Sequence, residues 1–280
     1  GFFEGREKRY KVKEIIFSGS DEAGEGEHKI FKYIRELRKR DNKMYKHVIY
    51  GLDADLIMLC VNHMRLGYDF YLYRETPEFI RSLNSELNPS ETYILDIGMF
   101  SGFLSEELSI GSKNRDNTLS DYIFITMLLG NDFLPHFPAL NIRTRGIDRL
   151  MAAYAAVVAP TGRTLVTGCD VNWPVVRKLV QSLASQEHAF ILEEYNVRDK
   201  QARRARGPQR SVDDELNAIP LRQRHDEMYI DPKTDRWQER YYRTLFNTQP
   251  TDARVREICL NYLEGLEWTL RYYTTGCPDW

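Results

Sequence analysis

Residues 47–61 read HVIYGLDADLIMLCV, and this stretch decides the reading of the chain. It is nearly continuous apolar sequence broken by two aspartates, Asp53 and Asp55, with Gly51 just ahead of them. An apolar run that stops at a glycine fits a buried strand, and the second run fits a short helix. The expectation is a strand, a tight turn bearing carboxylates, then a helix. Two acids inside an otherwise buried run are costly without partners, which makes Asp53 and Asp55 candidates for chemistry.

Upstream, KVKEIIFS (11–18) reads as a short strand, followed by the Gly-rich and acidic loop GSDEAGEGEH. A helix comes next, with Ile30, Ile34 and Leu37 at helical spacing and Arg35, Arg38, Lys39 and Arg40 crowding its last turns, where cations suit the helix dipole. Downstream, Asp69–Arg74 and Tyr93–Ile97 read as further strands. A helix near 121–129, the Pro-punctuated loop GNDFLPHFP and a helix over Gly146–Val158 follow. This alternation predicts an α/β domain, a largely parallel sheet flanked by helices, over residues 1–155. The turn-rich APTGRTLVTGCD leads into a second, mainly helical region, 156–280. Within it Trp173–Leu192 reads as one helix, 198–210 (RDKQARRARGPQR) as a basic mobile loop, and Arg254–Tyr273 as a long helix with aromatics at Tyr262, Trp268, Tyr272 and Tyr273.

A chain of 280 residues is long enough for two ordinary domains. Its 39 basic and 41 acidic residues leave a net charge of −2, so any surface for phosphates must be local rather than global. Cys60, Cys169, Cys259 and Cys277 form no CxxC pair and fit no zinc spacing; buried free thiols in a reducing compartment are expected. The apolar runs Leu56–Val61 and Tyr122–Leu129 fall far short of the roughly 20 residues a bilayer span needs, and no signal peptide is expected. The opening at Gly1 and the stop at Trp280 suggest a piece of a longer protein.

Three segments place acids beside glycines: GEGEHK with Glu25 and Glu27, GLDADL with Asp53 and Asp55, and GNDFLP with Asp132. In open α/β sheets such loops gather at one sheet edge. Five carboxylates drawn together repel unless a hard cation neutralises them, and Mg²⁺, with Mn²⁺ as the alternative, suits oxygen ligands. Paired ions of this kind clamp the attacking and leaving oxygens of a phosphoryl displacement, so an acid-only set points to phosphodiester hydrolysis. Plainer readings stand beside this one. Glu25 and Glu27 in a first helical turn also serve the helix dipole, and Asp132 also suits a turn before Pro135. His28 and His136 lie next to acids and can be donors behind them or packing residues. Lys29 can contact phosphate or stay solvated. No GK[ST] follows Gly24 and Gly26, and no GxSxG occurs.

The segments AGEGEHKIFKYIR, VIYGLDADLIMLC, SDYIFITMLLGNDFLPHFPAL with GIDRL, WQERYY, and CLNYLEGLEWTLRYYTTGCPDW together resemble the Xrn/Rat family of 5′→3′ exoribonucleases, in that family's order and over nearly the whole chain. The resemblance implies a fold like that of PIN and flap nucleases with the second region beside it. It implies that Glu25, Glu27, Asp53, Asp55 and Asp132 are metal ligands and the catalytic acids. It further implies Mg²⁺-dependent, processive removal of nucleoside 5′-monophosphates from RNA bearing a 5′-monophosphate. Lys29 is a candidate for the substrate backbone, and Trp280 for stacking on a 5′ base. By the resemblance, a 5′-phosphate pocket and further acids are expected in a part that would precede Gly1, and Ala23 stands where the family usually has Pro. The rivals are a flap- or PIN-type endonuclease, a non-catalytic RNA-binding scaffold, and a fragment inactive alone. The expected location is intracellular, the cytoplasm ahead of the nucleus.

Overall fold

The structure is a computed structural model that describes residues 5–74, 76, 84–108, 115–207 and 211–279. The chain divides into two compact units, residues 1–100 with 273–280, and residues 101–272.

The first unit is organised on a sheet of β1 (Lys46–Tyr50), β2 (Asp69–Tyr73) and β3 (Ile94–Asp96), in that order. β1 and β2 are parallel, with Lys46 opposite Asp69, but β3 is antiparallel to β2, with Tyr71 opposite Asp96. The sheet is therefore mixed, which corrects the largely parallel sheet expected from the sequence. Apolar alternation marks which face of a strand is buried and carries no information about strand direction. On the buried face lie Ile49, Phe70 and Leu72; Val48 and Tyr50 are exposed on the other. KVKEIIFS is a second correction. Residues 12–19 form no strand, and Val12, Ile16 and Phe17 are exposed. A short apolar run needs a neighbouring strand to satisfy its backbone, and this one has none among the described residues.

A single turn, α1 (Glu7–Tyr10), precedes the main helices α2 (Gly26–Arg40) and α3 (Asp55–His63). α2 buries Phe31 and Ile34, and α3 buries Leu56, Leu59, Cys60 and Val61. The Phe31 ring lies 4.5 Å from His63 and 6.1 Å from Phe70, so both helices and the sheet share one core. His63 is wholly buried. The Arg35 guanidinium, which can only donate, gives a hydrogen bond to its Nε2 (2.9 Å), so Nδ1 carries the proton and donates to the Leu59 carbonyl (2.8 Å). Burial pushes the imidazole from an ordinary value of 6.5 down to about 3; the Arg35 and Arg65 charges add to this, and the Leu59 bond opposes it.

α4 (Ile97–Leu108) begins in the first unit and continues in the second. The second unit is mainly helical: α5 (Arg115–Thr126), α6 (Gly146–Val157), a small hairpin of β4 (Val166–Thr167) and β5 (Asp170–Val171), then α7 (Trp173–Ala184), α8 (Glu187–Ala205), α9 (Val212–Arg222), α10 (His225–Ile230), α11 (Trp237–Phe246) and α12 (Asp252–Thr275), whose end from Tyr273 on belongs to the first unit. The helix expected over Trp173–Leu192 is two helices. Ser185 Oγ and Gln186 Nε2 both bond the Ser182 carbonyl, an alternative to the helical ladder at that point. The basic stretch from 198 is helical as far as Ala205, not a mobile loop; residues 208–210 lie outside the described residues. Two of its charges are paired: Arg198 with Glu227, and Asp199 with Arg224 (2.9 Å) and Lys233 (3.0 Å); Ala202 and Ala205 are buried, and Arg203, Arg204 and Arg206 are exposed.

Asp121 is the polar centre of this unit. It is fully buried and accepts from the Tyr154 hydroxyl (2.8 Å) and from the backbone N–H groups of Leu165 (2.7 Å) and Val166 (3.0 Å). One carboxylate thereby joins α5, α6 and the hairpin. Asp121→Ala leaves three buried donors without an acceptor, so a denaturant titration is expected to show a loss of roughly 3–5 kcal/mol; a loss under about 1 kcal/mol would sink this role. For His63, a depressed folded pKa means the unfolded chain takes up the proton first. Its stabilising contribution is complete above pH 6.5 and is lost as the pH falls toward about 3. Unfolding free energy is expected to fall between pH 6.5 and 5, and His63→Gln, which keeps a donor and an acceptor, to start lower but fall less steeply. Equal slopes for the two proteins would exclude His63 as the source.

Candidate metal centre

The geometry of the first acid pair starts at Gly24. Its φ of +102° is a conformation that glycine tolerates, and it turns the chain into α2. Glu25 then occupies the N-cap position with extended backbone, and the Lys29 N–H donates to its carbonyl (3.0 Å). Gly26 and Glu27 form the first turn. Donor atoms of Glu25, Glu27 and His28 all fall within 4.8 Å of one another. His28 Nε2 lies 3.7 Å from a Glu25 oxygen and 4.0 Å from a Glu27 oxygen. The imidazole is only 6% exposed, and burial, with Arg35 adding, pulls its pKa down to about 4. It is thus neutral at physiological pH and able to donate a lone pair. Two hard carboxylates and one imidazole fit a divalent cation, with carboxylates suiting Mg²⁺ and the nitrogen also suiting Mn²⁺.

The second pair leaves the sheet where β1 and β2 end together. The Gly51 N–H donates to the Tyr73 carbonyl (3.3 Å), holding the start of the loop at the sheet edge. A Cβ on Gly51 would meet Leu56 Cδ1 at 2.3 Å, so the close return of the chain requires glycine or a shift of that side chain. The loop is exposed at Asp53 and half-buried at Asp55, which opens α3. Asp53 Oδ1 accepts from the Asp55 N–H (3.3 Å), and Asp55 Oδ2 accepts from the Tyr273 hydroxyl (2.5 Å). Both acid pairs therefore stand at helix N-termini, where the dipole favours negative charge. Lys29, proposed for the substrate backbone, donates to the Gly19 carbonyl (2.6 Å) and so braces the loop that precedes Glu25.

Asp132 belongs to the second unit. Gly130, with φ of +89°, would place a Cβ 3.0 Å from the His136 N–H, so this loop also depends on a glycine. Asn131 Oδ1 accepts from the N–H groups of Phe133 and Leu134 (2.9 Å each), closing a turn that leaves Asp132 exposed. Trp268 and Tyr272, stacked at 4.9 Å on one face of α12, receive Phe133 edge-on at 5.0 and 5.2 Å. The Tyr262 hydroxyl donates to the Pro135 carbonyl (3.1 Å). His136 Nδ1 donates to the Phe137 carbonyl (2.7 Å). Among the described residues the close donor grouping contains Glu25, Glu27 and His28, and does not include Asp53, Asp55 or Asp132. Trp280 lies outside the described residues. The sequence pointed to four acids of the first unit. It did not single out the buried state of His28, or Tyr273, whose helical spacing with Trp268 and Tyr272 reads as packing.

Comparison with known proteins follows the same two regions. The family model described as the XRN 5'-3' exonuclease N-terminus matches residues 4–76. The one described as the Xrn1 helical domain matches residues 112–234 and 222–280. A "5'-3' exoribonuclease 2 homolog" of Drosophila melanogaster is 28% identical over 97% of this chain and 38% of its own length. "5'-3' exoribonuclease 2" of Gallus gallus is 24% identical over 97% of this chain and 39% of its own length. "5'-3' exoribonuclease 1" of Saccharomyces cerevisiae is 22% identical over 98% of this chain and 26% of its own length. The chain thus spans less than two fifths of the length of these relatives.

If Glu25 and Glu27 hold a cation, Mn²⁺ at about 100 times its dissociation constant is expected to stabilise the protein by about 2.7 kcal/mol, read as a rise in melting temperature. Glu25→Gln with Glu27→Gln is expected to abolish that rise. In metal-free buffer the same variant is expected to melt at or above the wild type, since it removes a like-charge pair. A Mn²⁺-dependent rise that survives the double substitution would place the ion elsewhere.

Proposed function

Because this chain belongs to the XRN 5'-3' exonuclease family, we propose that it carries the metal-binding acids of a 5′→3′ exoribonuclease. The observation that supports this most directly is the Glu25, Glu27 and His28 grouping at the N-terminus of α2, with Asp53 and Asp55 at the N-terminus of α3 in the same unit. In this reading the protein removes nucleoside 5′-monophosphates processively from RNA that bears a 5′-monophosphate.

The residues divide the work as follows. Glu25 and Glu27 supply carboxylate oxygens, and Asp53 and Asp55 supply more from the next loop. We propose the same ligand role for Asp132 on the motif that carries it. A bound Mg²⁺ or Mn²⁺ supplies charge to the phosphate oxygens and acidifies a water molecule. The two helix N-termini favour negative charge at the carboxylates. Lys29 keeps the acidic loop in place through Gly19 and stands ready to offer its charge to the backbone of RNA. Trp280 is proposed as a stacking platform for a base. No described helix is long and apolar enough to cross a membrane. The four cysteines are free, which suits a reducing compartment, and we place the activity inside the cell, in the cytoplasm ahead of the nucleus.

The test follows 3′-labelled RNA carrying either a 5′-monophosphate or a 5′-hydroxyl, incubated with the full-length protein and Mg²⁺. The monophosphate RNA is expected to collapse to mononucleotides while the hydroxyl RNA persists. Asp55→Asn is expected to slow the reaction by more than about 100-fold, beyond the range usual for residues that only support a ligand. Long internal fragments would show a flap- or PIN-type endonuclease instead. Intact RNA in every reaction would leave a scaffold that binds RNA.

A further inference from the structure

Tyr273 lies near the end of the 24-residue helix α12, some 218 residues downstream of Asp55, yet it belongs to the same compact unit. Its side chain is 3% exposed. Its hydroxyl reaches Asp55 Oδ2 at 2.5 Å, and its ring meets the His28 ring edge-on with centroids 5.5 Å apart. The contact is therefore double: one acid of the second pair directly, and the imidazole beside Glu25 and Glu27.

The backbone around it is held as well. The Asn62 amide donates to Thr274 Oγ1 (3.1 Å), and the Arg65 guanidinium donates to the Thr274 carbonyl (2.5 Å). Asn62 sits on α3 and Arg65 just past it, so the helix that begins with Asp55 also grips the residue after Tyr273. The phenol cannot drift relative to the carboxylate without breaking these bonds. A buried tyrosine hydroxyl spends its one proton on a single acceptor. Given to Oδ2, it fixes the rotation of the Asp55 carboxylate.

We propose that Tyr273 is a positioning residue for the metal centre: it locks the Asp55 carboxylate in one orientation, and braces His28 so that the acids at the two helix N-termini keep one arrangement. This rests on the reading of those acids as metal ligands. It also assigns a function to the downstream region that the helical-domain match covers, since the metal centre is completed by a residue from the end of that match.

The experiment measures Mn²⁺ affinity by electron paramagnetic resonance or calorimetry on the full-length protein, with the Mg²⁺ dependence of RNA hydrolysis and the melting temperature alongside. Tyr273→Phe removes the hydroxyl and keeps the ring. It is expected to weaken Mn²⁺ binding by about 10-fold and to raise the half-saturating Mg²⁺ concentration similarly, with hydrolysis largely recovered at saturating Mg²⁺. Para-aminophenylalanine at 273, which restores a donor in the same place, is expected to return affinity to within about twofold of wild type, on the same reasoning that the donor, not the ring, is what counts. If Tyr273→Phe fails to fold, the para-amino variant alone decides: wild-type affinity supports the role and a 10-fold loss in a folded protein overturns it. Asp55→Asn separates the two levels. Unchanged Mn²⁺ affinity in Tyr273→Phe together with lost affinity in Asp55→Asn overturns the positioning role alone. Unchanged affinity in both overturns the ligand reading beneath it.

Discussion

Two glutamates separated by one residue share a small volume only if the backbone turns both side chains the same way and something offsets their repulsion. Carboxylates about 5 Å apart near a protein surface repel by up to about 3 kcal/mol, and a helix N-terminus returns about 0.3–1 kcal/mol for each. The dipole therefore reduces the cost without cancelling it, and a cation is the natural remainder. Glu25 and Glu27 meet the first requirement because Gly24 takes a positive φ just before the helix starts. His28, buried behind them, closes the group on its inner side.

The second acid pair meets a related constraint by a different route. A strand that ends at Gly51 is tied to the neighbouring strand at Tyr73, and the chain turns back sharply enough for Leu56 to pack beneath it. Asp55 then begins a helix whose remaining residues are almost wholly apolar. The carboxylate sits between an immobile core and solvent, and its oxygens are committed by the Tyr273 hydroxyl on one side. In the second unit the Asp132 loop is held by the same kinds of device: a glycine at a close approach, an asparagine turn, and aromatic rings stacked on one face of α12. A loop so fixed pays little ordering cost when its carboxylate is engaged.

Much of this was legible in the one-dimensional pattern. The GLDADL stretch announced a strand, a turn and a helix. Other readings failed for physical reasons. Strand direction leaves no trace in apolar alternation, so β3 was free to be antiparallel. The stretch from 198 read as a loop because the partners of Arg198 and Asp199, namely Glu227, Arg224 and Lys233, lie some 25 to 34 residues farther on and pair only in the folded chain. Likewise KVKEIIFS has strand composition, but composition alone cannot supply a neighbouring strand.

By itself the sequence determined which residues are acids, where the glycines stand beside them, and hence which loops turn tightly and which helices start with negative charge. These are local properties, fixed within a few residues by φ, by the helix dipole and by the absence of a Cβ. Tertiary structure alone decided the burial of His28, the convergence of Glu25, Glu27 and His28, and the bond from Tyr273 to Asp55 across 218 positions. Those contacts are made by packing, and packing brings together residues whose separation along the chain carries no signal of their separation in space.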